Sequence, residues 1–149
     1  NYLNNNGYKV VLISKEKHND NWENRKLPLG KPFKNIIDKT GNIPIDDIIN
    51  LIHHSELYIG VSSGLAWLSW ALKKKVVMIS GFSSDWTEFT TNIERIINKD
   101  VCNSCFNNFK LDASDWDWCP IHKNTSRQFE CTKKILPETV IEGITRSLV

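Results

Sequence analysis

Short apolar segments alternate with helical segments along residues 1–99, and this alternation restricts the possible folds more than any other feature of the chain. Apolar stretches of about five residues begin at Tyr8, Leu57 and Val76, with a further candidate at Ile93–Ile97, and helices are predicted at Pro44–His54 and Leu65–Leu72. Strands that alternate with helices are typical of a parallel sheet covered on both faces. We therefore predict an α/β fold.

The alternation ends near Lys99. The segment 100–132 has no sustained hydrophobic period, although it contains all four cysteines. A clean helix is predicted afterwards, over Pro137–Leu148, with proline in its first turn and an apolar stripe along one side. We expect three parts: an α/β domain at 1–99, a small irregular lobe at 100–132 and a terminal segment at 133–149 that packs back on the α/β domain.

The composition excludes several classes of protein. The chain has 149 residues, is 40% hydrophobic and has a net charge of +2. This balance suits one globular core, and the charge is too weak to indicate nucleic-acid binding. No apolar run approaches the roughly 20 residues that a membrane helix needs. The polar opening, Asn1–Gly7, predicts no secretory leader, so we expect neither nucleic acid nor membrane as a partner.

Ser62-Ser63-Gly64 lies between a predicted strand and a predicted helix. Ligands of open α/β sheets bind at the carboxyl ends of strands, and a helix N-terminus offers amide groups that suit a phosphate. Gly64 would let a ligand approach the backbone closely. The alternative is that a serine hydroxyl simply caps the helix, with no ligand involved.

Four cysteines indicate either a metal site or disulfides. Cys102 and Cys105 form a C-x₂-C pair, which places two thiolates at two corners of a tetrahedron, and Cys119 and Cys131 could complete it. An irregular segment of this size needs a covalent or metal link, and a four-thiolate site suits zinc or iron equally. His122, next to Cys119 and Pro120, could replace one cysteine as a ligand.

The segment Ile43–Phe82 resembles the carboxyl-terminal half of bacterial heptosyltransferases, which have the two-domain GT-B fold with Rossmann-like sheets. The resemblance implies a nucleotide-sugar site at Ser62, Ser63, Gly64, Leu65 and Ala66, with Glu16 near the ribose. The loop at Gly81-Phe82-Ser83 would face the same crevice. Two departures separate the chain from the lipopolysaccharide-core enzymes: Ser62 replaces an acidic residue, and Trp67 replaces a histidine.

The cysteine segment resembles that of the bacterial autotransporter heptosyltransferases, in which four cysteines bind one iron ion in an iron finger. The Ser-Gly-Leu-x-Trp turn at Ser63–Trp67 matches that family as well, which accounts for both departures. The resemblance implies that Cys102, Cys105, Cys119 and Cys131 bind one iron or zinc ion, that the donor is ADP-heptose and that the acceptor is a serine of an adhesin. It also implies a cytoplasmic homo-oligomer.

The same resemblance implies inverting transfer without Mg²⁺, since backbone amides would stabilise the departing ADP. The family's general base lies outside this chain, so we assign no catalytic residue and expect the chain alone to be inactive. Two alternatives remain open. One is a lipopolysaccharide-core heptosyltransferase domain, and the other is a metal-stapled binding module without enzymatic activity.

Overall fold

The computed structural model describes residues 2–15, 35–115 and 117–149, which form two compact units, Asn1–Leu51 and Ile52–Val149. Helices and strands alternate as the sequence predicts, and the fold is mixed α/β with parallel sheets. Among the described residues, no helix combines the length and the apolar character that crossing a membrane requires. The predicted division of the chain near residues 99 and 132 stays a prediction.

The first unit contains a two-stranded parallel sheet. Helix α1 (Tyr2–Asn5) ends before Gly7, whose φ of 84° gives the helix end that glycine favours. Strand β1 (Val10–Ser14) pairs with β2 (Ile36–Thr40). The sequence analysis missed β2 because polar residues interrupt it and only its last residue, Thr40, is buried.

Helix α2 (Ile45–His53) begins in the first unit and ends in the second. Its acidic first turn, Asp46 and Asp47, is favourable at the positive end of the helix dipole. The observed bounds agree with the predicted helix, which begins at Pro44.

The second unit contains a three-stranded parallel sheet in the order β3-β4-β5. The elements of this unit are β3 (Leu57–Val61), α3 (Gly64–Ala71), β4 (Lys75–Ile79), β5 (Ile93–Ile96), a short α4 (Glu130–Lys133) and α5 (Pro137–Ser147). Helix α5 contacts β4 and β5, and its proline stands in the first turn, as predicted. The candidate strand at Ile93–Ile97 is confirmed as β5.

The core of this unit lies around the central strand, β4. Its consecutive residues Val76, Val77 and Met78 are all fully buried, which requires cover on both faces of the sheet. Helix α3 covers one face with Ala66 and Ser69. The sequence Leu65–Leu72 is apolar on nearly all sides and predicts a well-buried helix, but Trp67 is 43% exposed even though its ring packs against that of Phe89 at 5.2 Å.

The three parallel strands end at the same edge of the sheet. Val61 of β3 is the register partner of Ile79 of β4, and Ile79 is in turn the partner of Ile96 of β5. The chain therefore leaves the sheet at three neighbouring points of this carboxyl edge. These exits lead to the turn before α3, to the segment Ser80–Ser84, which we call the β4 exit loop, and to residues 100–132, which we call the cysteine lobe.

Candidate functional site

The turn at the start of α3 leaves amide groups available. Ser63 occupies the N-cap position with extended backbone, but its side chain makes no capping hydrogen bond. Its carbonyl oxygen accepts hydrogen bonds from the amides of Ala66 and Trp67, at 3.0 and 3.2 Å. Within the described part of the chain, the amides of Gly64 and Leu65 have no such partner. The turn therefore presents N–H donors at the positive end of a helix dipole, as an anion requires.

Space is open beside this turn. Among the described residues, a Cβ atom added at Gly64 would meet nothing within 4 Å apart from its chain neighbours and the backbone of its own helix. In contrast, Ala66 is fully buried in the core and its amide is used within the helix. The predicted role of Ala66 in a ligand site stays a prediction, and its burial leaves it no side-chain contact with a ligand.

Tyr58 supports the same turn from the beginning of β3. Burial raises the pKa of Tyr58 above its ordinary value, and a polar contact with the Ser63 side chain opposes that effect. A Cβ atom at Gly60 would lie 2.8 Å from the Tyr58 ring, so the ring lies directly over this glycine. The sequence analysis missed Tyr58, although Tyr-x-Gly within a strand places the tyrosine side chain on the face that the glycine leaves open.

A buried polar network that includes Glu88 and Arg95 holds the β4 exit loop in place. Ser80 and Ser83 are 2% and 1% exposed. Ser83 Oγ donates to Glu88 Oε1 at 2.7 Å, and Arg95 Nη1 donates to Ser80 Oγ at 2.5 Å. Glu88 and Arg95 also form an ion pair, in which the Glu88 side chain is 2% exposed. A buried pair with its remaining partners satisfied holds a loop in one position.

The four cysteines line one small cavity together with Phe82, Trp118 and Glu130. Cys105 and Cys119 are each 7% exposed, whereas Cys102 and Cys131 are partly buried. All four are free thiols in the structure. The cavity therefore brings together residues that are far apart in sequence, and the predicted binding of one metal ion by all four cysteines stays a prediction.

The electrostatics of this cavity disfavour thiolates when no cation is present. Burial raises the pKa of Cys105 from 9.0 to about 11, and the neighbouring Cys102 thiol adds to the effect. Burial likewise raises the pKa of Cys102, with a further contribution from Cys131. A bound cation reverses this preference because it stabilises the deprotonated ligands. Thiols are ligands that iron and zinc accept, but the ligand atoms that lie within 4.8 Å of one another belong to Cys102, His122 and Glu130, so the four-cysteine site stays a prediction.

Glu130 and His122 also stand beside Cys102, and the ligand atoms of these three residues lie within 4.8 Å of one another. Glu130 is already engaged: it accepts hydrogen bonds from Arg127 Nε at 3.0 Å, from Arg127 Nη2 at 2.6 Å and from the Cys102 amide at 3.2 Å. The Arg127 hydrogen bond holds the pKa of Glu130 below its ordinary value. Glu130 therefore braces the cysteine pair, a role that the sequence analysis missed.

Asp115 and Asp117 are separated by a single residue, a spacing that also occurs in acidic magnesium sites. The prediction that the chain needs no Mg²⁺ did not consider this pair. Asp115 Oδ2 accepts from Lys123 Nζ at 2.5 Å, and Asp115 Oδ1 accepts from the Asp117 amide at 3.1 Å. Asp115 is thus engaged inside the cysteine lobe. The predicted ribose contact, Glu16, lies outside the described residues, as does Trp116.

Comparison with known proteins places this geometry in context. The autotransporter heptosyltransferase Aah of Escherichia coli is 40% identical over 152 residues, which cover 99% of this chain and 37% of that relative. A crystal structure of the dodecameric iron-containing heptosyltransferase TibC in complex with ADP-D-beta-D-heptose has a TM-score of 0.81 and 36% identity. It is matched over 98% of this chain and 38% of its own.

A second structure, of iron-containing dodecameric TibC from enterotoxigenic E. coli H10407, has a TM-score of 0.85 at the same identity and coverage. The chain thus spans well under half of the length of these relatives. Residues 1–111 match the family described as glycosyltransferase family 9 (heptosyltransferase), a range that includes the α3 turn, the β4 exit loop and the Cys102–Cys105 pair. The chain therefore belongs to glycosyltransferase family 9, the heptosyltransferases.

Proposed function

We propose that this chain is the donor-binding part of a heptosyltransferase that transfers heptose from ADP-heptose to serine hydroxyls of an autotransporter adhesin. The observation that carries the proposal is the uncapped turn before α3, with available amides at Gly64 and Leu65. It stands at the carboxyl edge of a parallel sheet, where α/β proteins bind nucleotides. The TibC structure with ADP-D-beta-D-heptose supports the choice of donor.

The chemical contribution of this chain is electrostatic. Departure of ADP builds negative charge on its diphosphate, and fixed amides at Ser63, Gly64 and Leu65 stabilise that charge without reorganisation. Ser62 adds a hydroxyl donor beside them, and Glu16 contacts the ribose. The general base acts from outside this chain, so the isolated chain binds nucleotide weakly and does not turn over.

Cys102, Cys105, Cys119 and Cys131 hold one metal ion in this proposal, iron first and zinc as the alternative. The shared cavity and the iron-containing TibC relatives support it. The ion supplies a structural link between three separate segments of the lobe, and it takes no part in the transfer. Glu130 positions Cys102 through its amide, and Arg127 positions Glu130.

The remaining parts of the proposal rest on the relatives. Aah is an autotransporter heptosyltransferase, which supports an adhesin as the acceptor. The dodecameric TibC structures support a homo-oligomer for the full-length enzyme. A nucleotide-sugar donor and reduced cysteines indicate the cytoplasm as the site of action.

Titration of ADP into full-length protein that carries Gly64→Pro tests the site directly. Gly64 is the first residue of α3, where proline is tolerated, and the preceding Ser63 has the extended backbone that proline requires. The variant removes one amide donor, so we expect ADP affinity to fall about tenfold or more, as for loss of a hydrogen bond to a charged group. Calorimetry measures the affinity for ADP. The melting temperature of the variant should equal that of the unaltered protein.

Gly64→Ala is the matched variant, because it fills the same open space and retains the amide. It should bind ADP at least several-fold more tightly than Gly64→Pro. Equal affinities would contradict a role for this amide. No binding of ADP to the unaltered protein at millimolar concentration would instead favour the metal-stapled binding module.

A further inference from the structure

We propose that the cysteine lobe positions the β4 exit loop for the donor, so that metal binding and nucleotide binding strengthen one another. The proposal rests on the function proposed above and extends it to Gly81 and Phe82. These residues are not metal ligands, and they lie where the lobe meets the edge of the sheet.

The first step is the place of the loop. Val61 and Ile79 are register partners in neighbouring parallel strands, so the turn at Ser62–Gly64 and the loop that begins at Ser80 leave the sheet side by side. Neighbouring strands lie about 4.8 Å apart. A diphosphate on the α3 turn therefore lies within reach of the β4 exit loop.

The second step is a pair of backbone hydrogen bonds between the loop and the cysteine pair. The amide of Ser104, which stands between Cys102 and Cys105, donates to the carbonyl of Gly81 at 3.0 Å. The amide of Phe106 donates to the carbonyl of Phe82, also at 3.0 Å. Movement of the C-x₂-C turn therefore displaces Gly81 and Phe82, whose carbonyls it holds.

The third step is the absence of space between the loop and Cys131. A Cβ atom at Gly81 would lie 2.6 Å from the Cys131 carbonyl carbon and 3.1 Å from the Thr132 nitrogen. Only glycine permits this contact. The backbone that bears the fourth cysteine therefore packs directly on the loop.

The fourth step concerns Phe82, which links the loop to the metal cavity and to solvent. Its ring lies 5.1 Å from that of Phe106 and 5.6 Å from that of Trp118, and it lines the cavity of the four cysteines. It is nevertheless 40% exposed. One face of the ring is thus fixed by the lobe, and the other remains accessible at the carboxyl edge.

The β4 exit loop cannot follow a movement of the lobe as a rigid unit. Ser80 and Ser83 are buried and hydrogen-bonded to Arg95 and Glu88 beneath it. Displacement of the lobe therefore changes the conformation of Gly81 and Phe82, between these two anchors. A metal that holds the cysteines fixes this conformation, and by thermodynamic reciprocity a ligand that needs the same conformation raises the affinity for the metal.

The experiment measures the equilibrium metal affinity of the full-length protein by competition with a chromogenic chelator, with and without saturating ADP. We expect ADP to tighten metal binding at least threefold in the unaltered protein. In Gly81→Ala, where the added methyl separates loop and lobe, ADP should have no effect on the metal affinity. Calorimetry with ADP is run on the same samples.

Gly143→Ala is the matched control, since its added methyl strikes Ile96 at the contact between α5 and β5 and leaves the lobe untouched. It should keep the ADP effect. If Gly81→Ala does not fold, Phe82→Leu serves instead and should reduce the ADP effect at least twofold. Retention of the full ADP effect by the folded loop variant overturns the proposal.

Two further outcomes separate this inference from the proposed function. If ADP binds by calorimetry while the metal affinity is unchanged in the unaltered protein, the coupling is overturned and the donor site stands. If ADP does not bind, the donor site is overturned, and the coupling with it.

Discussion

The sheet of the second unit and the cysteine lobe are stabilised in different ways. Residues Val76, Val77 and Met78 of the sheet are fully buried apolar side chains. In the lobe, the residues from Asn107 to Ser114 are all exposed, and the buried positions among its described residues are Cys105, Cys119 and Glu130. Apolar burial stabilises the sheet without help, whereas thiols and a carboxylate cannot replace such a core. In the function proposed above, the metal ion supplies the stability that the lobe lacks.

Removal of the metal is expected to have the largest effect and to separate the two regions. Cys119→Ser should reduce the metal content from about one ion per chain to nearly none, since binding at structural sites of this kind is itself folding free energy. Hydrogen exchange should then show weakened protection in residues 100–132, where the metal-free lobe stays partly folded, and unchanged protection in β3, β4 and β5. Loss of protection across both regions at once would contradict the division.

Breaking the buried ion pair should have the next largest effect, in the opposite region. Arg95→Met leaves Glu88 buried without its partner, which costs about 3–5 kcal/mol of unfolding free energy. Urea denaturation of the full-length protein measures the loss. Arg146→Met is the matched control, because the Arg146–Glu94 pair is more exposed and is expected to contribute no more than about 1 kcal/mol.

The smallest effect is a dependence on alkaline pH, confined to metal-free protein. The pKa of Cys105 is raised from 9.0 to about 11 in the folded state, so folding favours the neutral thiol. That stabilising contribution is complete below pH 9 and is lost as the pH rises through about 11. Melting temperatures of metal-free and metal-loaded samples test it. The loaded sample should lack this decline, since its cysteines are already deprotonated.

Local patterns predicted most of the sheet. Strand β3 was predicted with its observed bounds because its apolar residues lie between polar ones. The four cysteines line one cavity, but their binding of one metal ion stays a prediction. Strand β2 was missed because the charged residues Asp38 and Lys39 interrupt its apolar pattern. Helix α3 is less buried than its apolar sequence predicted. Local sequence patterns contain no information about which distant residues cover a helix or a strand.

The contacts that join the regions could not be predicted at all. Gly81 and Cys131 are distant in sequence, and their close packing depends on how the whole lobe folds back on the sheet. Arg127 and Glu130 are three residues apart, a spacing at which side chains meet on a helix. Nothing in the neighbouring sequence, however, relates this pair to the Cys102 amide that donates to Glu130. Tertiary structure determines these pairings, and they surround the candidate site.

Because β3, β4 and β5 end at the same edge of the sheet, the places where this chain can accept an insertion are limited. One extra residue within β4 would turn each following side chain to the opposite face, since strand side chains alternate. Ser80 would then point away from Arg95, and a residue with a side chain would occupy the place of Gly81. Length variation is tolerated only farther along, where Asp85 and the 63% exposed Trp86 extend into water.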